Sequence, residues 1–223
     1  MASVRAEQVT KIYRQDSIVV EALKDVDLEI TEGEFLALVG PSGSGKSTLL
    51  NLIGGLDRPS AGRLWVADAE LGQLTRRALA ELRLKRIGFV FQEYNLIPVL
   101  SALENVEYVM LLQGVPDAER RARATEILNE VGLAGLEDRR PGELSGGQQQ
   151  RVAVARAIVA APALVLADEP TANLDSATGA ALMDLMRRLN EEKRVTFVFS
   201  THDPMVMERA KRLVRLKDGH IAS

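Results

Sequence analysis

Gly40-Pro41-Ser42-Gly43-Ser44-Gly45-Lys46-Ser47-Thr48 follows the spacing G-x-x-x-x-G-K-[ST]. Glycines so spaced let the backbone turn its N–H groups inward around phosphate oxygens. The lysine that follows reaches the terminal phosphates, and the next hydroxyl suits a magnesium ion. A helix opening near Ser47 adds the positive end of its dipole. A flexible Gly/Ser turn is the plainer reading. It leaves unexplained why an apolar strand precedes the loop and a helix follows it.

A second stretch, Leu164-Val-Leu-Ala-Asp168-Glu169, is an apolar run ending in two carboxylates. A buried strand ends this way when something compensates the charge, and magnesium-ATP does so. Asp168 suits the magnesium shell, directly or through water, and Glu169 suits proton abstraction from an attacking water. A solvated Asp-Glu turn is the alternative. A third stretch, Leu144-Ser145-Gly146-Gly147-Gln148-Gln-Gln-Arg151, sets a Ser cap and two glycines before a helical run, Gln148 to Ala160. That arrangement leaves N–H groups at a positive helix end. An ordinary N-cap reads the same way.

With these three stretches in this order, the chain resembles the ATP-binding-cassette (ABC) ATPases over essentially its whole length. The resemblance implies a P-loop α/β fold: a mainly parallel sheet core, an N-terminal antiparallel β part and an inserted α-helical subdomain. It implies ATP and Mg²⁺ as cofactors. Tyr13 matches the aromatic that stacks on adenine, and Gln92 the glutamine that touches magnesium and the water. Asn173-Leu174-Asp175 matches the D-loop, and His202 the histidine that contacts the γ-phosphate. Taken alone, Tyr13 reads as a packed strand aromatic, Gln92 and Asp175 as polar loop residues, and His202 as a satisfied structural histidine. By resemblance Glu169, His202, Gln92 and Lys46 carry catalysis, and Ser47, Gln92 and Asp168 hold the metal. Leu144 to Gln148 would close over the nucleotide of a second copy, in a head-to-tail sandwich of two chains.

Phe89-Val-Phe-Gln-Glu-Tyr-Asn-Leu-Ile-Pro98, Ser101-Ala-Leu-Glu-Asn-Val and Leu166-Ala-Asp-Glu-Pro-Thr171 narrow the likeness. They are similar to the ATPases of the lipoprotein-releasing and macrolide-exporting systems, the LolD and MacB group. The likeness implies an ATPase that drives a membrane permease of the FtsX/MacB-like type, for export, lipoprotein release or mechanotransmission. It implies a peripheral position on the cytoplasmic face of the inner membrane. The permease would dock near residues 94–100 through Leu96, Ile97, Val99 and Leu100. A plain surface loop or buried packing is the alternative for that segment. Ala172 departs from the glycine this group often has before its D-loop, a small residue for a small residue. The competing function is a soluble ABC ATPase, or a regulatory cell-envelope ATPase of the FtsE kind. The span between Gln92 and Leu144 is too short for the long coiled coil that many soluble members carry. A module that no longer hydrolyses ATP is opposed by Glu169 and His202. A small-molecule kinase would not explain Leu144 to Arg151.

Positioning these residues takes alternating strands and helices. Val4 to Tyr13 and Val19 to Ile30 read as half-buried strands joined by a turn near Gln15-Asp16-Ser17. Phe35 to Val39, Ile87 to Phe91, Leu164 to Ala167, Val195 to Ser200 and Leu213 to Leu216 read as short strands. Ser47 to Ile53 reads as a helix closed by Gly54-Gly55. Ala124, Ile127, Leu128 and Val131 make one helical face, as do Leu182, Leu185, Met186 and Leu189, the latter behind a cap at Asp175 or Ser176. Strands alternating with helices imply a mainly parallel sheet. A single ABC ATPase domain is expected over 1–223, with 1–92 and 160–223 as core and about 93–159 as the helical subdomain.

The chain has 223 residues, a net charge of −3 and no cysteine. The mild acidity gives nucleic-acid binding no electrostatic support, so no nucleic-acid partner is expected. Disulfides and cysteine-ligated metals are excluded. The N-terminus lacks the apolar segment of a secretory signal, and no run approaches the roughly 18 apolar residues of a membrane span.

Overall fold

Phe35–Val39 (β3) is buried at all five positions. In a strand, alternate residues face opposite sides. Phe35, Ala37 and Val39 accordingly join one hydrophobic layer, and Leu36 and Leu38 the other. A strand covered on both faces reads as a continuous apolar run, which is why it was legible. The computed structural model describes residues 2–15 and 18–222. The turn expected near Gln15-Asp16-Ser17 falls on Asp16 and Ser17, outside the described residues.

Around β3 lies a sheet with strand order β10-β9-β3-β8-β7-β6. Its members are β6 (Ile87–Val90), β7 (Leu164–Asp168), β8 (Thr196–Thr201), β9 (Arg212–Lys217) and β10 (His220–Ala222). Among the described strands of this sheet, only β10 runs antiparallel to its neighbour. Phe35 packs against Phe197 and Phe199 with ring centroids 5.7 and 4.9 Å apart. Fully burying one such ring contributes about 1.5–3 kcal/mol.

A second sheet, order β2-β1-β4-β5, is antiparallel. It comprises β1 (Ala2–Gln15), β2 (Ile18–Thr31), β4 (Ala61–Val66) and β5 (Ala69–Glu70). Its inner face (Val4, Val9, Leu23, Ile30, Leu64) packs with helix α1 (Lys46–Ile53) against one side of the parallel sheet. On the other side lie α3 (Ala102–Leu112), α4 (Asp117–Glu130), α5 (Gly146–Ile158) and α6 (Ser176–Lys193).

Some elements carried no clear sequence pattern. Helix α2 (Arg76–Arg86) buries only Leu79, so its apolar periodicity is faint. The short β4 buries just Leu64 and Val66, and α7 (Pro204–Arg209) buries only Val206. The expected helix Gln148 to Ala160 instead runs from Gly146 to Ile158. The cause is Ser145, which caps it two residues earlier. No helix of the described residues is long and apolar enough to cross a membrane.

Candidate nucleotide site

Four neighbouring parallel strands end together. Val39 pairs with Thr201, Asp168 with Ser200, and Val90 with Ala167. The loops leaving these ends therefore converge, as ligand sites do at the carboxyl edge of parallel sheets. They form a cleft of ≈ 770 Å³ lined by Pro41, Ser42, Gly43, Gly45, Lys46, Ser47, Thr48, Gln92, Glu169 and His202. Val20, Glu21, Ala22 and Lys24 close it from the β2 side. A further cavity between α4 and the end of α6, of ≈ 370 Å³, contains no motif residue.

The loop between β3 and α1 is shaped for an anion. Gly40 has φ +152°, and a Cβ there would lie 2.1 Å from the Leu216 carbonyl oxygen, so only glycine fits. Gly43 has φ +77° and faces open space. Helix α1 starts after Gly45 with no side-chain cap and no acidic residue in its first turn. Its first N–H groups thus lack intrahelical partners and suit a phosphate. Lys46 is buried at 7%, and its ammonium donates to the carbonyls of Gly40 (2.8 Å) and Pro41 (3.0 Å). Those two bonds aim it along the loop. Ser44 is buried at 2%, and its hydroxyl has no hydrogen-bond partner.

Asp168 and Ser47, 121 residues apart, meet at 3.1 Å, the serine hydroxyl donating to Asp168 Oδ1. Ser200, fully buried, donates to the same oxygen and accepts the Glu169 N–H at 3.2 Å. Glu169 itself has φ +45°. A bulky residue in that region costs about 1–2 kcal/mol, and such strain collects at functional positions. Its Oε1 lies 2.8 Å from His202 Nδ1, and the His202 side chain is 71% exposed. Sequence reasoning missed Ser200. The only signal was a hydroxyl two residues before His202, directly after the apolar run Phe197-Val198-Phe199.

The oxygens of Ser47 and Asp168, with Gln92 across the cleft, form the hard donor set that magnesium takes. Among the described residues no three His, Cys, Asp or Glu side chains cluster tightly enough to hold a metal by themselves. A magnesium ion there would draw its other ligands from phosphate oxygens and water.

Besides Gly40, Ser44 and Asp168, three expected site groups do not line this cleft. Tyr13 is 41% exposed, which excludes the packed-core alternative. Its hydroxyl donates to Asp57 at 3.0 Å, and the Lys11 ammonium sits 4.8 Å from its ring centroid. Burial, then the bond to the Asp57 carboxylate, raises the phenol pKa. Asp175 caps α6, accepting from the N–H groups of Ala177 and Thr178 and the Thr178 hydroxyl. The hydroxyl bond leads in holding this carboxyl below its usual range.

Leu144 to Gln148 form the third group. Ser145 and Gln148 make a reciprocal capping box at the start of α5. A Cβ on Gly146 would lie 2.8 Å from the Tyr94 hydroxyl, and one on Gly147 2.5 Å from Thr178 Cγ2. Both glycines therefore let the Tyr94 loop and the first turn of α6 approach the helix end closely.

The segment 94–100 is pinned rather than loose. Arg156 donates to the carbonyls of Asn95 (2.6 Å) and Tyr94 (2.9 Å), and burial lowers its pKa. Asn105, fully buried, bonds the backbone of Ile97, Leu100 and Ser101. Leu96 packs against the core and Ile97 and Leu100 are half-buried, so of the four expected apolar contacts only Val99, at 71%, is exposed. The open apolar surface lies beside the segment, in a groove lined by Leu56, Ile87, Phe89, Phe91, Val109 and Ala157.

The ABC transporter family model matches residues 23–172. The chain is 49% identical to the lipoprotein-releasing system ATP-binding protein LolD 1 of Rhodopseudomonas palustris, covering all of both chains. It is 46% identical to the macrolide export ATP-binding/permease protein MacB of Syntrophobacter fumaroxidans, over 99% of this chain and 31% of that longer protein. Its fold matches a dimeric ATP-binding cassette of Methanocaldococcus jannaschii, solved in a post-hydrolysis state bound to ADP and Pi. The TM-score is 0.90 at 46% identity, covering 99% of this chain and 97% of that one.

Proposed function

Because the chain belongs to the ATP-binding-cassette transporter ATPases, we propose that its strand-edge cleft holds one nucleotide in cis while Leu144 to Gln148 close over a second nucleotide in a partner copy. The chain is an ATP-hydrolysing subunit of the LolD/MacB type that works as a self-dimer with a membrane permease.

The observation that carries the site assignment is the convergence of Lys46, Ser47, Gln92, Glu169 and His202 on one cleft. The free N–H groups of the loop and of α1 bind phosphate oxygens, and Lys46 adds positive charge beside the β- and γ-phosphates, where negative charge develops as ADP leaves and the phosphoryl group passes to water. Ser47, Asp168 and Gln92 would hold a magnesium ion, which when bound would neutralise phosphate charge. Glu169 accepts a proton from water at its carboxylate, and Gln92 orients that water. His202 lies with Nδ1 2.8 Å from Glu169 Oε1, and with both ring nitrogens protonated it would donate its other N–H to the γ-phosphate. Tyr13, with its hydroxyl anchored on Asp57, supplies a ring for adenine. In the dimer the N–H groups of Gly146 and Gly147 at the start of α5 donate to the partner's γ-phosphate, and Asp175 lies at the contact between the two copies.

We place the core in 1–92 and 160–223 and the helical subdomain in about 93–159. The permease is of the FtsX/MacB-like type, at the cytoplasmic face of the membrane. It docks in the groove beside residues 94–100, through Val99 in the neighbouring segment and Leu56 in the groove lining. Both are exposed apolar residues, at 71% and 51%. The test is co-purification of the chain with its permease after Leu56→Asp or Val99→Asp. Loss of the complex with unchanged ATP turnover of the isolated chain supports docking there. An intact complex in both variants refutes it.

A further inference from the structure

Gln150 lies fully buried one turn into α5. Its amide nitrogen donates to the carbonyls of Pro170 (2.7 Å) and Phe91 (3.3 Å). Both neighbours are acceptors, so the nitrogen end of the amide must face them. Its Oε1 is left buried with no hydrogen-bond partner. An apolar side chain of the same length would fill this space without an orphaned acceptor, so packing alone does not select an amide here.

The two carbonyls identify the role. Pro170 follows Glu169, and Phe91 precedes Gln92. One side chain thus spans the two loops that flank the attacking water in the reading above. The same helix holds the far end of the Gln92 loop, where Arg156 takes the carbonyls of Tyr94 and Asn95. The carbonyl of Gln92 itself accepts from Asn173 at 3.0 Å. The loop 91–95 therefore hangs at both ends from the helix whose first turn is Gly146-Gly147-Gln148.

We propose that Gln150 is a positioning residue that fixes Gln92 relative to Glu169 and ties that pair to the start of α5. A shift of α5 as its first turn seats on a partner's nucleotide then moves Gln92 and Glu169 as a unit. The inference rests on the roles proposed above for Gln92 and Glu169.

The test is Gln150→Met in the full chain, alone and combined with Gln92→Ala. Turnover, affinity for a non-hydrolysable ATP analogue and melting temperature are read for each. Gln150→Met is expected to lower kcat about tenfold or more while analogue affinity stays within about threefold, since the lost geometry matters only in the reaction. In the Gln92→Ala background the same change should lower kcat no further, because both act through one group. An unchanged kcat in Gln150→Met overturns the inference. So does an equal, multiplicative loss in the Gln92→Ala background, which a purely structural role would give. If Gln92→Ala leaves kcat untouched, the role of Gln92 fails first and the inference with it. Should Gln150→Met not fold, Gln150→Glu keeps the shape and, as a carboxylate, lacks both donors, with the same outcomes expected.

Discussion

Ser200→Ala removes one oxygen from the centre of the site. The hydroxyl is fully buried, donates to Asp168 Oδ1 and accepts the Glu169 N–H. A hydrogen bond to a charged group contributes about 1.5–3 kcal/mol, and an orphaned buried N–H costs about 1–3 kcal/mol. The two do not add fully because Asp168 keeps the Ser47 hydroxyl, so a net loss of about 2–3 kcal/mol follows. In a chain of this size that lowers Tm by about 4–12 °C. The kinetic effect has a separate origin. Glu169 sits at φ +45°, a conformation that costs about 1–2 kcal/mol and is held in part by Ser200. Releasing it depopulates the productive carboxylate by about 5–30-fold, with kcat falling by that factor while ATP affinity is retained. Thermal unfolding and steady-state turnover of the purified variant measure both. A Tm within about 1 °C of the parent, or a loss confined to ATP affinity, would refute the reasoning.

Other perturbations separate other contacts. Gly147→Ala places a Cβ 2.5 Å from Thr178 Cγ2, and such overpacking costs about 1–3 kcal/mol. Adding Thr178→Ser deletes that methyl while keeping the hydroxyl on Asp175, so it should restore most of the lost Tm. Lys46→Ala removes a charge-assisted phosphate contact and should weaken nucleotide binding about 10- to 100-fold by calorimetry. Glu107 lies part-buried with Oε1 unpartnered, and burial raises its carboxyl pKa, outweighing the pull of Arg120 and Arg121. A raised acid favours the fold below its unfolded pKa and loses that contribution as pH climbs through the folded one. Glu107→Gln should therefore raise Tm at neutral pH and leave it unchanged at acid pH. A gain confined to acid pH would contradict this.

How legible these features were depended on how they bury. Phe35–Val39 is covered on both faces, and its apolar run stood out. The phosphate loop and the Asp168-Glu169 strand end were legible because each depends on residue type and local spacing. Helix α2 was not legible because a single buried leucine sets no period. Ser200, Gln150 and Arg156 escaped because their partners lie 20 to 62 residues away in sequence, and a polar residue on a strand or helix does not by itself mark a distant contact. The apolar count in 94–100 suggested an open surface, yet Asn105 and Arg156 pin the backbone and turn Leu96 inward. The groove beside it draws on Leu56, Phe89 and Ala157, which no local window brings together.

The central claim is that one chain holds half of each active site, with Leu144 to Gln148 completing the partner's. Sedimentation of Glu169→Gln with Mg-ATP tests it most directly, because blocked hydrolysis should trap the closed pair. The account predicts a dimer with one ATP per chain that reverts to monomer when ATP is removed. A species that binds ATP to saturation and stays monomeric across the concentration range would contradict it.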